Sequence, residues 1–242
     1  DIILLQQDLS VLERSVSEGR RAFGNIMKYI MMVTSSNFGN MFSMAGASLI
    51  LPFLPMLPVQ VLLNNLLYDI SEMAIPLDDV DREAMERPEH WDTRFIRNFM
   101  LALGPVSSVF DFLTFGLLLL VFHANEELFQ TGWFIESLAT QVLVIFVLRT
   151  RGNPLKSRPH LLLATTSVTV VGLAVLLPFT PLGVWFGFVP PSVPFLCTIA
   201  VLVVCYLLLA QSAKWAFYRL RPPVDGASAP SMPPHLPLIG RL

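Results

Sequence analysis

Charge is scarce in this chain. Only 14% of its 242 residues are Asp, Glu, Lys or Arg, against roughly 25% in an ordinary soluble domain. That deficit excludes a water-facing globular surface over most of the length. With 54% hydrophobic residues in several long runs and a mean hydropathy of +0.62, the composition indicates an integral membrane protein. A net charge of −2 gives no electrostatic basis for a nucleic-acid partner. Cysteine is almost missing: Cys197 and Cys205 share one apolar run, which predicts buried packing residues and not a disulfide or a metal motif. His90, His123, His160 and His235 are scattered over predicted loops and the tail, so no His/Cys cluster has metal-ligand spacing. No glycine-rich phosphate loop is present.

What is there is a series of apolar segments. Six are long enough, or nearly so, to cross about 30 Å of hydrocarbon: residues 28–50, 56–76, 97–122, 133–149, 160–178 and 193–217. All 16 basic residues precede or open span one, lie in or beside the loop after span two or the loop after span four, or end or follow span six. The positive-inside rule then puts both termini and those two loops in the cytoplasm. The loop after span two is also acidic (Asp78, Asp79, Asp81, Glu83, Glu86, Glu89, Asp92); such a run reads as solvated charge, or as a docking surface for a cytoplasmic domain. Trp133, Trp185 and Trp215 fall near predicted membrane boundaries and read as interfacial anchors.

The first 25 residues are polar and amphipathic, without the basic start and short apolar core of a signal peptide. The chain opens on Asp1 and reads as the C-terminal piece of something larger, or as a processed product. D-I-I-L-L has the look of a buried strand, and the following segment has helical spacing. The expected organisation is all-α and polytopic: 1–25 an N-terminal remnant of a cytoplasmic α/β domain, 26–218 a six-helix transmembrane domain, and 219–242 a disordered Pro/Ser/Gly-rich tail.

The chemistry concentrates between Thr34 and Asp79. Asn37 and Asn40 share one face of span one; Asn65, Asp69 and Glu72 share one face of span two. A lone carboxylate at mid-span costs several kcal/mol, and the only nearby basic residue, Arg82, is in a loop. Asn37, Asn40, Asn65 and Asp69 are therefore the candidate cation ligands, with helix–helix hydrogen bonding as the plain alternative for the amides. Glu72, one turn further towards the cytoplasm, reads as lining the exit, bonding a neighbouring helix, or snorkelling. Asp111, with Ser107, Ser108 and Thr114 close by on span three, reads as a second cation or proton site, or as a structural hydrogen bond. Glu136, at the outer start of span four, reads as solvated charge. Gln141 and Thr140 lie one turn deeper as possible oxygen ligands, with helix packing as the default.

At S-S-N-F-G-N and N-L-L-Y-D-I-S the sequence resembles the C-terminal third of P-type cation-transporting ATPases, in particular the bacterial magnesium-transporting (type IIIB) branch. E-G-R-R-A-F-G-N-I-M-K-Y-I, L-P-F-L-P-M-L-P-V-Q, Y-D-I-S-E-M-A-I-P-L-D-D-V-D, R-P-E-H-W, G-P-V-S-S-V-F-D-F-L-T-F and F-Q-T-G-W-F carry the likeness. It implies that the six spans are membrane helices five to ten of a pump in the plasma membrane. Partners would be the lipid bilayer and the pump's remaining helices and its phosphorylation, nucleotide-binding and actuator domains. The transported ion would be Mg2+, moved into the cytoplasm, and ATP would act only through those other domains, since no D-K-T-G-T phosphorylation motif is present here. Calcium pumps of the wider family carry N-x-x-E and N-x-x-x-D where this chain has Asn37–Asn40 and Asn65–Asp69. The missing carboxylate suits an ion that dehydrates reluctantly. A calcium-type pump segment, a non-catalytic membrane scaffold and an ATP-independent carrier are the alternatives, the last opposed by the lack of internal symmetry.

Overall fold

Three prolines in L-P-F-L-P-M-L-P, Pro52, Pro55 and Pro58, break the first long helix because each lacks a backbone N–H and disfavours helical geometry before it. The computed structural model describes residues 9–80, 91–154 and 156–220. It gives α1 (Leu9–Ile50), α2 (Pro58–Glu72), α3 (Thr93–Leu120), α4 (Glu126–Leu148), α5 (Leu161–Leu176), a short α6 (Pro181–Trp185) and α7 (Val193–Leu220), with 3-10 turns at Ile75–Leu77 and Leu177–Phe179. Among the described residues there is no strand. The strand expected at D-I-I-L-L, the middle of the acidic loop with Arg82, and nearly all of the expected tail lie outside them.

Among the described residues four helices are long and apolar enough to cross a membrane: α3, α4, α5 with its 3-10 extension, and α7. The first two predicted spans do not meet that description. α2 has 15 residues, about 22 Å at 1.5 Å per residue, and α1 runs 42 residues as one helix with polar side chains along it. Local chemistry sets the helix starts. The Asp92 carboxylate accepts from the N–H groups of Arg94 (2.8 Å) and Phe95 (3.2 Å), and Asn125 Oδ1 accepts from Leu128 N–H at 3.1 Å, as N-caps do. Glu126 and Glu127 follow in the first turn of α4, where the helix dipole favours anions. Pro58 takes the first position of α2, and Gln60 Oε1 accepts from Leu57 N–H at 3.0 Å.

α4 is the central helix. Of its most apolar stretch 89% is buried, against 28% for α5 and α7. Around it α1 lies along α3, α2 packs on α4 and α5, and α7 packs on α3 and α4. One half of the core gathers Phe115, Phe129, Trp133, Phe134 and Leu138 with Phe188 and Phe195; the other gathers Phe99, Leu103, Ile145 and Phe217. The α1–α3 crossing depends on small residues. A Cβ on Gly39 would stand 3.0 Å from the Gly104 carbonyl, and one on Gly104 would stand 2.6 Å from Phe38 Cδ1. Ser108 Oγ donates to Gly39 O at 3.0 Å. Close backbone approach with small side chains is how helices pack where lipid removes the hydrophobic drive.

Three expectations are corrected. Cys197 and Cys205 are exposed on the outer face of α7 and are not core residues. Trp133 is 1% exposed and donates Nε1–H to Asp111 Oδ1 at 2.9 Å, so it is no interfacial anchor. Glu136 is buried as well, because α4 begins seven residues before the predicted span and carries both side chains inward.

The end of α2 is tied down by charge. Asp78, 0% exposed, accepts from Arg149 Nη1 at 2.8 and 2.7 Å, from His160 N–H at 3.0 Å and from Lys28 Nζ at 3.3 Å. Arg149 also donates to Ser157 O and Oγ at 2.6 and 2.9 Å. Burial alone would raise the Asp78 pKa. The Arg149 guanidinium, the His160 amide and the Lys28 ammonium outweigh it and hold the carboxyl below its ordinary range. Lys214, also buried, donates to the carbonyls of Val147, Thr150 and Gly152 at 2.8, 3.0 and 3.0 Å, capping the carbonyl end of α4.

Two outcomes follow for unfolding of the detergent-solubilised protein. Gly104→Val should lower stability by about 1–3 kcal/mol, the usual range for overpacking a tight contact. Asp78→Asn should cost about 3–5 kcal/mol at neutral pH, because it takes from the buried Arg149 the carboxylate it is paired with. Since the folded pKa lies below the unfolded value of about 3.9, the wild-type advantage should be complete above that value. It should fade as pH falls through the lower folded pKa. A pH-independent gap between the two proteins would contradict this reading of Asp78.

Candidate cation site

α2 turns two different faces to its surroundings. Gln60, Asn64, Tyr68, Ser71 and Glu72 are buried, and Gln60 Nε2 reaches Phe186 O at 2.9 Å. Leu62, Asn65, Leu66, Asp69, Ile70 and Met73 form an exposed stripe at helical spacing. Asn65 and Asp69 therefore sit one turn apart on a face that is otherwise apolar. Among the described residues the Asp69 carboxylate has no ion pair and no hydrogen bond. On α1, Asn37 is exposed beside Met41, and Asn40 is half-buried.

The structure groups these candidates in two sets. Asn65 and Asp69 stand together. Asn40 joins Gln141: Ser137 Oγ donates to Asn40 Oδ1 at 3.3 Å, and Gln141 Nε2 donates to Ser137 Oγ at 2.7 Å. No hydrogen bond among the described residues links Asn37 or Asn40 to Asn65 or Asp69, because α1 lies mainly on α3 and α2 on α4 and α5. The helices approach nearer the C-terminal end of α2, where Tyr29 lies near Glu72 and Asp69. There Tyr68 lies beside Ser36 and Glu72. Glu72 is 2% exposed and does not snorkel.

Asp111 belongs to a separate interior network. It accepts from Ser43 Oγ at 2.5 Å and from Trp133 Nε1 at 2.9 Å, with Glu136 close enough to interact. Ser35, Ser36, Ser107 and Tyr206 line a small cavity between α1, α3, α4 and α7. Sequence reading missed Asn64, Gln60 and Tyr68. Asn64 adjoins Asn65, but a 100° step per residue sends neighbours to different faces, and only packing tells which faces inward. Among the described residues, no three His, Cys, Asp or Glu side chains gather closely enough to hold a metal ion. A cation here would need the amides, and oxygens from outside the described residues, to complete its shell.

Comparison with known proteins fits this geometry. Residues 53–216 match the family described as "Cation transporting ATPase, C-terminus". Over 226 residues, 91% of the chain, it is 45% identical to "Magnesium-transporting ATPase, P-type 1" of Salmonella typhimurium, covering 25% of that protein. The Escherichia coli protein of the same name is 45% identical over 229 residues, again 91% of the chain and 25% of the relative. "Calcium-transporting ATPase" of Bacillus subtilis is 26% identical over 213 residues, 83% of the chain and 22% of the relative. The chain spans about a quarter of the length of these magnesium-transporting relatives. It belongs to the cation-transporting ATPases and carries their C-terminal membrane region.

Proposed function

We propose that this chain is the cation-binding membrane portion of an ATP-driven magnesium pump, moving Mg2+ through the plasma membrane into the cytoplasm. Asp69 supplies the charge, Asn65 an oxygen one helical turn away, and Asn37 and Asn40 the amides of the neighbouring helix. Other helices of the full-length protein complete the shell. The observation that carries this reading is the position of Asp69: a carboxylate on an apolar, exposed helix face with no cation partner among the described residues. In hydrocarbon such a group is costly, so the face calls for a protein neighbour and an ion.

The remaining expectations belong to the same proposal. α1 and α2, with the four apolar helices, make six membrane crossings; both termini face the cytoplasm; and the first 25 residues complete a cytoplasmic domain built mainly by the rest of the pump. Three amides and one acid, set against a site with a further carboxylate, favour Mg2+, which keeps part of its water, over Ca2+, which takes six to eight oxygens. Similarity at 45% to magnesium-transporting proteins, against 26% to a calcium-transporting one, points the same way. A calcium pump is the second reading.

In the full-length protein, Asp69→Asn should raise the Mg2+ concentration for half-maximal ATPase stimulation by about ten- to a hundredfold. That is the worth of ~1.5–3 kcal/mol for one charged ligand. Expression should be unaffected. Wild-type Mg2+ stimulation and uptake in this variant would remove Asp69 from the site, and stimulation by Ca2+ in preference to Mg2+ would favour the second reading.

A further inference from the structure

Asp111, Trp133 and Glu136 meet in the interior between α1, α3 and α4, each of them 1% exposed. Trp133 Nε1 donates to one Asp111 oxygen at 2.9 Å, and Ser43 Oγ donates to the other at 2.5 Å. Glu136 follows Trp133 by three residues, so both side chains leave α4 on one face, the face that meets Asp111. The two carboxyls lie close enough to interact. Neither Glu136 oxygen has a hydrogen-bond partner among the described residues. The ion pairs of those residues involve Asp78 and Asp79, and no basic side chain among them pairs with Asp111 or Glu136. Among the described residues, the one further titratable group facing the pair is the Tyr206 phenol on α7.

We propose that Asp111 and Glu136 form a proton-binding site, in which Glu136 keeps one proton and donates it to the Asp111 carboxylate. Two carboxylates side by side in a low dielectric repel each other, and with no cation between them the pair takes a proton instead. The donors decide which acid carries it. Asp111 already accepts an indole N–H and a hydroxyl, which suit an anion, and a bond from Glu136 adds a third donor. Glu136 receives nothing, and an ionised carboxylate without a donor is the costlier state. As a neutral acid Glu136 becomes a donor, so a single proton serves both groups. The same arrangement opposes a metal ion at this place. Both Asp111 oxygens face hydrogen-bond donors, and no third acid gathers there among the described residues. The site adjoins the Asn40 amide without including it: Ser137, next to Glu136, donates to Asn40, which lies three residues before Ser43 on α1. The bound proton thus removes one negative charge from that part of the interior without a second metal ion. The inference does not rest on the reading of Asp69.

The test is infrared difference spectroscopy of the full-length protein in lipid vesicles at neutral pH, with and without Mg2+. Subtracting the spectrum of Glu136→Gln from that of the wild type should reveal the C=O stretch of a neutral carboxylic acid. Mg2+ should leave that band unchanged. A difference showing only ionised carboxylate would overturn the proposal, as would a band that Mg2+ abolishes, the signature of a second metal site. Should Glu136→Gln fail to fold, Asp111→Asn supplies the same information. There the Glu136 band should persist and move to higher frequency, because its acceptor has lost its charge and the hydrogen bond is weaker. Loss of a neutral-acid band in that variant would place the proton on Asp111 and contradict the assignment. A spectrum identical to the wild type in this region would contradict it equally. Glu72 is unaltered in both variants, so its own contribution cancels in each difference.

Discussion

A carboxylate cannot rest in hydrocarbon without a partner, and the chain has four acids within its apolar segments: Asp69, Glu72, Asp111 and Glu136. That constraint orders the whole interior. Asp111 receives Ser43 and Trp133, with Glu136 beside it. Glu72 is buried next to Tyr68 at the C-terminal end of α2. Three acids are therefore enclosed by the bundle, and one of them, Asp111, ties α3 to α1 and α4. Only Asp69 is left on an open face, with Asn65 a turn away. Asp111 alone of the enclosed acids has hydrogen-bond donors on both oxygens; neither carboxylate oxygen of Glu72 or of Glu136 has a hydrogen-bond partner among the described residues.

The scaffold around that face is rigid for reasons that can be named. α4 is enclosed on nearly every side, its carbonyl end is capped by Lys214, and α1 is pressed to α3 at Gly39 and Gly104. Over residues 10–19 the side chains of α1 are mostly exposed, and its contact with the end of α2 passes through polar groups around Asp78.

Much of this was legible in the sequence. Charge deficit and apolar runs gave the helices, and the prolines from Pro52 to Pro58 placed the break after α1. Family likeness in S-S-N-F-G-N and N-L-L-Y-D-I-S agreed with the later comparison. The less legible parts have physical causes. Asn125 with Glu126 and Glu127 is a helix start, but acidic residues at a membrane edge look like solvated charge, so Trp133 and Glu136 were placed too near the surface. Asp78 looked like one more acid in an acidic loop. Its partners Arg149 and Lys28 are 71 and 50 residues away, and no local pattern reports such a meeting. Glu72 shares a helical face with Asn65 in projection, yet it is buried where Asn65 is not, because that face meets α1 at one end only.

The most direct measurement is anomalous scattering from Mn2+, standing in for Mg2+, in crystals of the full-length protein. The account predicts a peak against the exposed face of α2, within direct or one-water reach of the Asp69 carboxylate and the Asn65 amide, and lost in Asp69→Asn. A membrane-embedded peak elsewhere, with Asp69 facing lipid or paired to a basic side chain, would contradict it.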